Sequence, residues 1–462
     1  MATTNDISNL LQEFYEQDTV QTFSDEFWAH DEIQTAKNLR WDGNQVKIHI
    51  HTGRNAGVAA ANESGLTGGG LPVAGHQKTQ QGQINRKYVY GRISLTGPAI
   101  YSAKSSANAF MDVLDFEMER LTRDVISAQS FHLYTGSAMA GGVGFNGIRA
   151  KVQSGGISGA GTGGSTPSPH VITLEHAGGF DSTTASAARV VPDKGATRYL
   201  RVGDPVVFGS LAQLASGTSG MAKGVITDID RTLETITLNP DLTVGAPALS
   251  DTMGGAPAYV ARGYDDVGNN EANLCPTGLG LLMNFSAGQS FQGIDYAGED
   301  WAPTVSSRFS AAGATQALQL AGMHKVIQNI REISGQKTDL MVAHPSMINE
   351  YLNLIETTGN IQYQPLKATA GYDTLTFSSG SPVKWIFDND CPYGAIFFLN
   401  KKGLMWAVNR PWGWEKTDGA VLRSVANRDE FTARYVSYYD LGFKQLNSQG
   451  VLKGITTSST HF

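Results

Sequence analysis

The feature that most restricts what this chain can become is a pair of alternating segments separated by a stretch that cannot form a core. In NQVKIHIHTGRNAG, residues 44–57, Val46, Ile48 and Ile50 point one way over 45–52 while Lys47, His49 and His51 point the other. That is the period-two pattern of a strand with one covered face. A second strand is expected at 82–96, with Val89, Ile93 and Leu95 on one face and Arg86, Tyr88, Tyr90 and Arg92 on the opposite one. Between them GRNAGVAAANESGLTGGGLPVAGHQKTQQ runs for about thirty residues, rich in Gly and Ala and poor in large apolar side chains. Loops of this length without structure of their own are usually functional. With too little apolar surface to fold alone, this one predicts an extended hairpin whose tip rests on another subunit.

The next segment carries the strongest helical signal, from about Ser105 to Tyr134. Phe110, Leu114, Met118, Leu121, Val125 and Ala128 follow the 3.6-residue period, and Val113 widens the stripe. The opposite face holds Glu117, Glu119, Arg120, Arg123 and Asp124, with Glu119/Arg123 and Arg120/Asp124 spaced for i,i+4 pairs. Such a helix would run roughly 45 Å at 1.5 Å per residue, a spine that exceeds most core helices.

Composition changes at QSGGISGAGTGGSTPSPH, 153–170, a Gly/Ser/Thr/Pro linker. Beyond it RYLRVGDPVVFG, KGVITDIDRTLETITLNP and PAYVAR read as strands of a small inserted β domain at roughly 170–270, closed by the weakly patterned VGAPALSDTMGGAP. A helix is expected over 313–333, stopped by Gly335, and another at SMINEYLNLIE. Strands follow at PVKWIFDND, GAIFFLN, LMWAVN and EFTARYVSYYDLGFKQL. Residues 1–43, with Trp28, Trp41 and a short helix at NDISNLLQEFYEQ, read as an arm with a few anchors.

Composition removes several function classes. A chain of 462 residues with 41% hydrophobic content can bury a real core. The formal charge of −7 gives no electrostatic reason for tight nucleic-acid binding. No basic leader and no run of about 18 apolar residues is seen, so the reading is a soluble protein made in a cytoplasm. Only Cys275 and Cys391 are present, which excludes a disulfide framework and a four-cysteine zinc site and points to two reduced, packed thiols. The sequons at Asn62 and Asn284 carry no meaning without secretion.

Each chemical motif has a plainer explanation. His49 and His51 share a strand face as metal ligands can, but no third ligand stands nearby and Lys47 lies on the same face. Gly159, Gly161 and Gly164 spell a dinucleotide fingerprint inside a linker that has no strand before it and no helix after it. The glycines of GLTGGGLPVAG lack the Lys-Ser/Thr ending of a phosphate loop. Asp265/Asp266, Glu299/Asp300 and Asp388/Asp390 lack calcium-loop spacing and read as solvated turns. Trp412 and Trp414 fall on one side of a strand, read as packing at a domain edge or subunit contact. No nucleophile elbow is found. The expectation is a non-enzyme with no catalytic residues, no metal and no cofactor.

The order of these pieces resembles the major capsid proteins of tailed bacteriophages, which share the Hong Kong 97 capsid fold. The segments that carry the resemblance are VKIHIHTGRNAG, GGLPVAG and RKYVYGRISLTGPAI for the extended loop and SANAFMDVLDFEMERLTRDV for the spine, with DCPYGAIFFLNKKGLMW and TDGAVLRSV for later strands. The resemblance covers about 1–150 and 270–455.

The resemblance implies an α+β class: an N-terminal arm (1–43), an extended loop (44–97), a peripheral domain with the spine helix (98–153), an inserted β domain (154–270), a peripheral continuation (271–312), an axial α/β domain (313–425) and a return strand with C-terminal tail (426–462). It also implies self-assembly into hexamers and pentamers of an icosahedral shell around double-stranded DNA, the DNA contacted weakly on the inner face. The partners implied are a separate scaffolding protein, a portal and a decoration protein, with no membrane; the location is the virion, assembled in host cytoplasm. Subunit-interface residues are expected at Arg54, Leu66, Leu71, Lys78, Arg86, Arg92, Glu117, Glu119, Arg120, Arg123, Trp412 and Trp414. An encapsulin-type compartment and a β-rich surface-binding protein are the alternatives.

Overall fold

The computed structural model describes residues 28–33, 35–36, 39–55, 57–59, 74–99, 113–136, 146–158, 170–175, 195–216, 221–239, 252–253, 255–263, 269–285, 290–295, 303–307, 316–358, 375–378, 382–416 and 419–455. The chain divides into two compact units, one of 1–26, 89–128 and 411–437, the other of 27–88, 129–410 and 438–462.

The larger unit contains, among the described residues, a six-stranded mixed sheet. Its order is Thr304–Ser307, Gly450–Lys453, Ala395–Leu399, Leu340–Ala343, Pro382–Phe387, Leu375–Ser378. Leu340–Ala343, Ala395–Leu399 and Gly450–Lys453 are buried along their whole length. Strands covered on both faces lose the alternating signature, which is why LMVA and GVLK escape a period-two reading. Met341, Ala343, Trp385, Ile396, Phe398 and Leu452 form one core with Met323, Val326, Ile327 and Ile330 of the helix Leu320–Ser334 and Met347 of the helix Ser346–Thr358. Gly450 lets the first helix lie close, since a Cβ there would stand 2.8 Å from Ile330 Cδ1. The helix stops where expected: Gly335 adopts φ 68° and its N–H donates to the Arg331 carbonyl at 2.9 Å.

Its start differs from the expected 313. Gln316 bridges to Ile455 and donates from its backbone to Gly454 at 3.1 Å, so tertiary pairing holds 316–319 out of the helix despite the good helix formers there.

A closed barrel joins Tyr259–Arg262, Ile148–Ser158, His170–Glu175, Thr235–Asn239, Ala222–Asp230 and Pro205–Gly209 in that order. Its interior is filled by Val152, Ile172, Leu174, Val206, Phe208, Ile226, Ile236, Leu238 and Val260. Val207 and Ala261 point instead into a second cluster with Ile148, Leu214 and Met221. The barrel begins earlier than the linker reading allowed, because Ile148–Ser158 continues through the glycines at 155 and 156. These glycines make a bulge, not a break: the register shifts between Val152 and Ile157, and Gly155 takes φ 70°. Of RYLRVGDPVVFG only Pro205–Gly209 is strand; residues 195–199 form turns.

The first hairpin pairs Gln45–Gly53 with Lys78–Asn85 antiparallel, Gln45 opposite Asn85 and Gly53 opposite Lys78. Val46 and Ile84 are buried with Met405 and Ala407, while Lys47, His49 and His51 are exposed. The single strand expected over 82–96 is two, Lys78–Asn85 and Lys87–Thr96. Arg86 between them is diverted, its N–H donating to the Asn44 carbonyl at 2.9 Å, and the second strand pairs with Glu430–Phe443 instead.

In the smaller unit Gly91 of Lys87–Thr96 faces the helix Val113–Tyr134, where a Cβ would meet Val125 and Leu121 at 3.0 and 3.1 Å. Val125 of the expected stripe is buried there. The expected first turns at 105–112 and the helix in the arm lie outside the described residues.

Candidate assembly surfaces

The expected interface residues fall into three groups. At the far end of the hairpin Arg54 and Lys78 are exposed, next to the Gly53–Lys78 pair that ends the ladder. His49 and His51 lie on the same exposed face, and His51 Nε2 contacts Gln77 Oε1. That face opens on a cleft of about 900 Å³ also lined by Arg54, Glu332, Ile333 and Lys444. Leu66 and Leu71 lie outside the described residues.

At the hairpin's base Arg86 is held by neutral acceptors. Its guanidinium donates to Asn409 Oδ1 at 3.1 Å, to Asn44 Oδ1 at 2.6 Å and to the Tyr88 hydroxyl. It also lies 5.0 Å from the Tyr88 ring centre and 5.5 Å from that of Tyr438, with Arg410 5.6 Å from the latter. Two guanidinium groups thus share one aromatic ring. Sequence spacing singled out Arg86 but not Tyr438 or Arg410, which are over three hundred residues away.

The third group belongs to the smaller unit. Arg123 donates to Glu119 at 2.8 Å, an i,i+4 pair with side chains 40% and 62% exposed, so it is a surface pair. Arg120 lies 5.2 Å from the Phe116 ring centre, Glu117 is half-buried and Arg92 is exposed. Trp412 stacks on Tyr435 with centres 5.4 Å apart and planes at 10°, and Trp414 tilts against the same ring at 5.1 Å. Both indoles are therefore engaged by their own chain.

Elsewhere the structure corrects one reading and adds contacts that sequence missed. Asp388 is buried, not in a solvated turn, and accepts from the Tyr134 hydroxyl at 2.9 Å. Asp265, Asp266, Glu299 and Asp300 lie outside the described residues. The barrel is tied to the body by Arg198, which donates to the Cys391 carbonyl at 2.6 Å and lies 4.8 Å from the Tyr393 ring centre, and by Tyr199, which donates to the Asp390 carbonyl at 2.5 Å. Cys275 and Cys391 are buried free thiols. Among the described residues no helix is long and apolar enough to cross a membrane.

No protein-family model matches the chain, and no curated protein matches it by sequence. Solved structures do match along nearly its whole length. A chain of the capsid asymmetric unit of cyanophage A-1(L) is 11% identical, with 97% of this chain and 98% of that chain covered and a TM-score of 0.52. A chain from the capsid of a native GTA particle is 8% identical, covering 99% and 100%, with a TM-score of 0.50. A Synechococcus elongatus encapsulin superposes less well, at a TM-score of 0.43 and 8% identity. The chain thus shares the mixed helix-and-sheet fold of phage capsid chains.

Proposed function

We propose that the chain is a structural shell subunit, the major capsid protein of a tailed bacteriophage, whose copies close an icosahedral head around double-stranded DNA. The observation that carries this reading is the end-to-end match to the cyanophage capsid chain, 97% of one against 98% of the other, with no large domain left over on either side. In this reading the chain has no catalytic role.

Shell closure requires many copies to repeat modest interfaces. The Arg54–Lys78 end of the hairpin reaches over a neighbouring subunit, and the Glu117, Glu119, Arg120 and Arg123 face contributes polar contacts. Leu66 and Leu71 are proposed contacts of the loop tip. Arg86, Arg92, Trp412 and Trp414 border the interface. Exposed ion pairs add only about 0–1 kcal/mol each, so stability would come from repetition over the shell. A separate scaffolding protein, a portal and a decoration protein are the proposed partners, with the packaged DNA contacted weakly on the inner face. Assembly would take place in the host cytoplasm and the product would reside in the virion.

The test is expression of the chain alone and with a scaffold candidate, followed by negative-stain electron microscopy and light scattering. Closed shells or capsomer rings are expected; a monomer under both conditions overturns the reading. Deletion of residues 58–76 tests the loop, since normal shells from that variant would remove its assigned role.

A further inference from the structure

The last turn of the helix Val113–Tyr134 and the turn that follows the barrel meet around three side chains of ligating chemistry. His132, Glu271 and Cys275 each offer one donor atom, and these atoms all lie within 4.8 Å of one another. His132 and Cys275 are buried at 3% and 4% exposure, and Glu271 is partly buried. Glu271 and Cys275 are fixed relative to each other by a backbone bond, the Cys275 N–H donating to the Glu271 carbonyl at 3.2 Å. Nothing in the spacing of 132, 271 and 275 announces the trio, since the barrel intervenes between the first residue and the other two.

We propose that His132, Glu271 and Cys275 bind one divalent transition metal, zinc by preference, clamping the end of the spine helix to the barrel's exit. One nitrogen, one oxygen and one sulfur form a donor set suited to zinc and foreign to magnesium or calcium. Donors bound at about 2.0–2.3 Å in a tetrahedron lie roughly 3.5 Å apart, so separations of up to 4.8 Å close by no more than about 1.3 Å on binding. Water completes the fourth position.

The surroundings supply the outer partners that metal sites need. The Tyr439 hydroxyl lies 3.3 Å from His132 Nδ1 and orients the ring. Arg149 donates to Glu271 Oε2 at 2.6 Å, leaving the other carboxylate oxygen for the metal, and its guanidinium lies 3.5 Å from the Phe131 ring centre. Metal binding displaces the Cys275 thiol proton to solvent. The metal's two positive charges are then balanced by the Glu271 carboxylate and the new thiolate, and Arg149 keeps its carboxylate oxygen.

The test is cobalt(II) titration of the full chain under reducing conditions, with circular dichroism as the fold control. The wild type is expected to take about one equivalent and to show thiolate-to-cobalt charge transfer with tetrahedral visible bands. Cys275→Ser abolishes the charge transfer, His132→Gln weakens uptake, and Tyr439→Phe lowers affinity on the order of 10-fold. Cys391→Ser and the His49→Ala/His51→Ala double variant leave the spectrum unchanged. The absence of charge transfer in the wild type overturns the site, as does a band lost in Cys391→Ser. The wild-type and Cys391→Ser spectra alone decide the matter if Cys275→Ser does not fold. The site and the shell reading stand or fall separately, because metal uptake is read on the chain whether or not it assembles.

Discussion

The Tyr134 hydroxyl donates to Asp388 Oδ2 at 2.9 Å, with both side chains buried. The contact links the last residue of the spine helix to the residue after the strand Pro382–Phe387, 254 positions away. Burial pushes the Asp388 carboxyl up, while the Asp390 N–H and the Tyr134 hydroxyl restrain it. Tyr134→Phe removes a donor without changing shape. It should cost about 1–3 kcal/mol, read from urea unfolding, and a cycle with Asp388→Asn should show strong coupling. Additive single and double variants would mean that the bond contributes nothing.

Asp440 is the clearest source of pH dependence. Burial raises its pKa to about 6 although the Thr277 and Leu441 N–H groups donate to it at 2.6 and 2.9 Å. A carboxyl whose folded pKa exceeds its unfolded value gives stability that is present below about pH 4 and is lost as pH rises through about 6. Asp440→Asn should flatten this part of the stability profile, measured by thermal melts between pH 4 and 7.5. A variant profile parallel to the wild type's over that window would refute the assignment.

Glu32 holds the short helix Trp28–Glu32 by contacts to Lys384 and Lys401. Hydrogen bonds from Lys384 and then Lys401 pull its pKa down, so its contribution is present at neutral pH and is lost as pH falls through its depressed folded value. Glu32→Gln should cost about 1 kcal/mol, since the lysines are partly exposed and screened. The expected signature is faster hydrogen exchange at 28–33 at pH 7, with the wild type approaching the variant as pH falls through that depressed value. Unchanged exchange would place the helix's anchor elsewhere, at the His30–Trp406 stack with ring centres 4.8 Å apart.

Gly278 admits no side chain. A Cβ there would stand 2.2 Å from the Thr135 carbonyl oxygen and 2.4 Å from that of His132, and neither backbone atom can move alone. Gly278→Ala should therefore destabilise by more than about 3 kcal/mol, seen as loss of soluble protein or a large fall in melting temperature. A variant that melts with the wild type would show that this backbone approach is adjustable.

How much of this was legible depended on whether an element had one face or two. Gln45–Gly53 alternates because His49 and His51 stay exposed while Val46 packs inward, and Leu320–Ser334 shows its period because one stripe meets the sheet. Leu340–Ala343 and Gly450–Lys453 are covered on both sides, so period carried no message and length was too short to arbitrate. The glycines at 155 and 156 read as a linker because a bulge and a linker use the same residue. The site residues split similarly. Lys78 and Arg123 stand out as charges on the outer side of regular elements, whereas Arg86 with Tyr438, or His132 with Cys275, are brought together only by topology.

The barrel's first and last strands lie side by side, with Ile148 opposite Ala261. The chain therefore departs from its body and comes back at a single doorway, and what happens between costs the body no rerouting of its own strands. Such an arrangement behaves as a socket: lengthening, replacing or erasing the module, whose two ends lie 113 residues apart in sequence, leaves the sheet from Thr304 to Lys453 in its order.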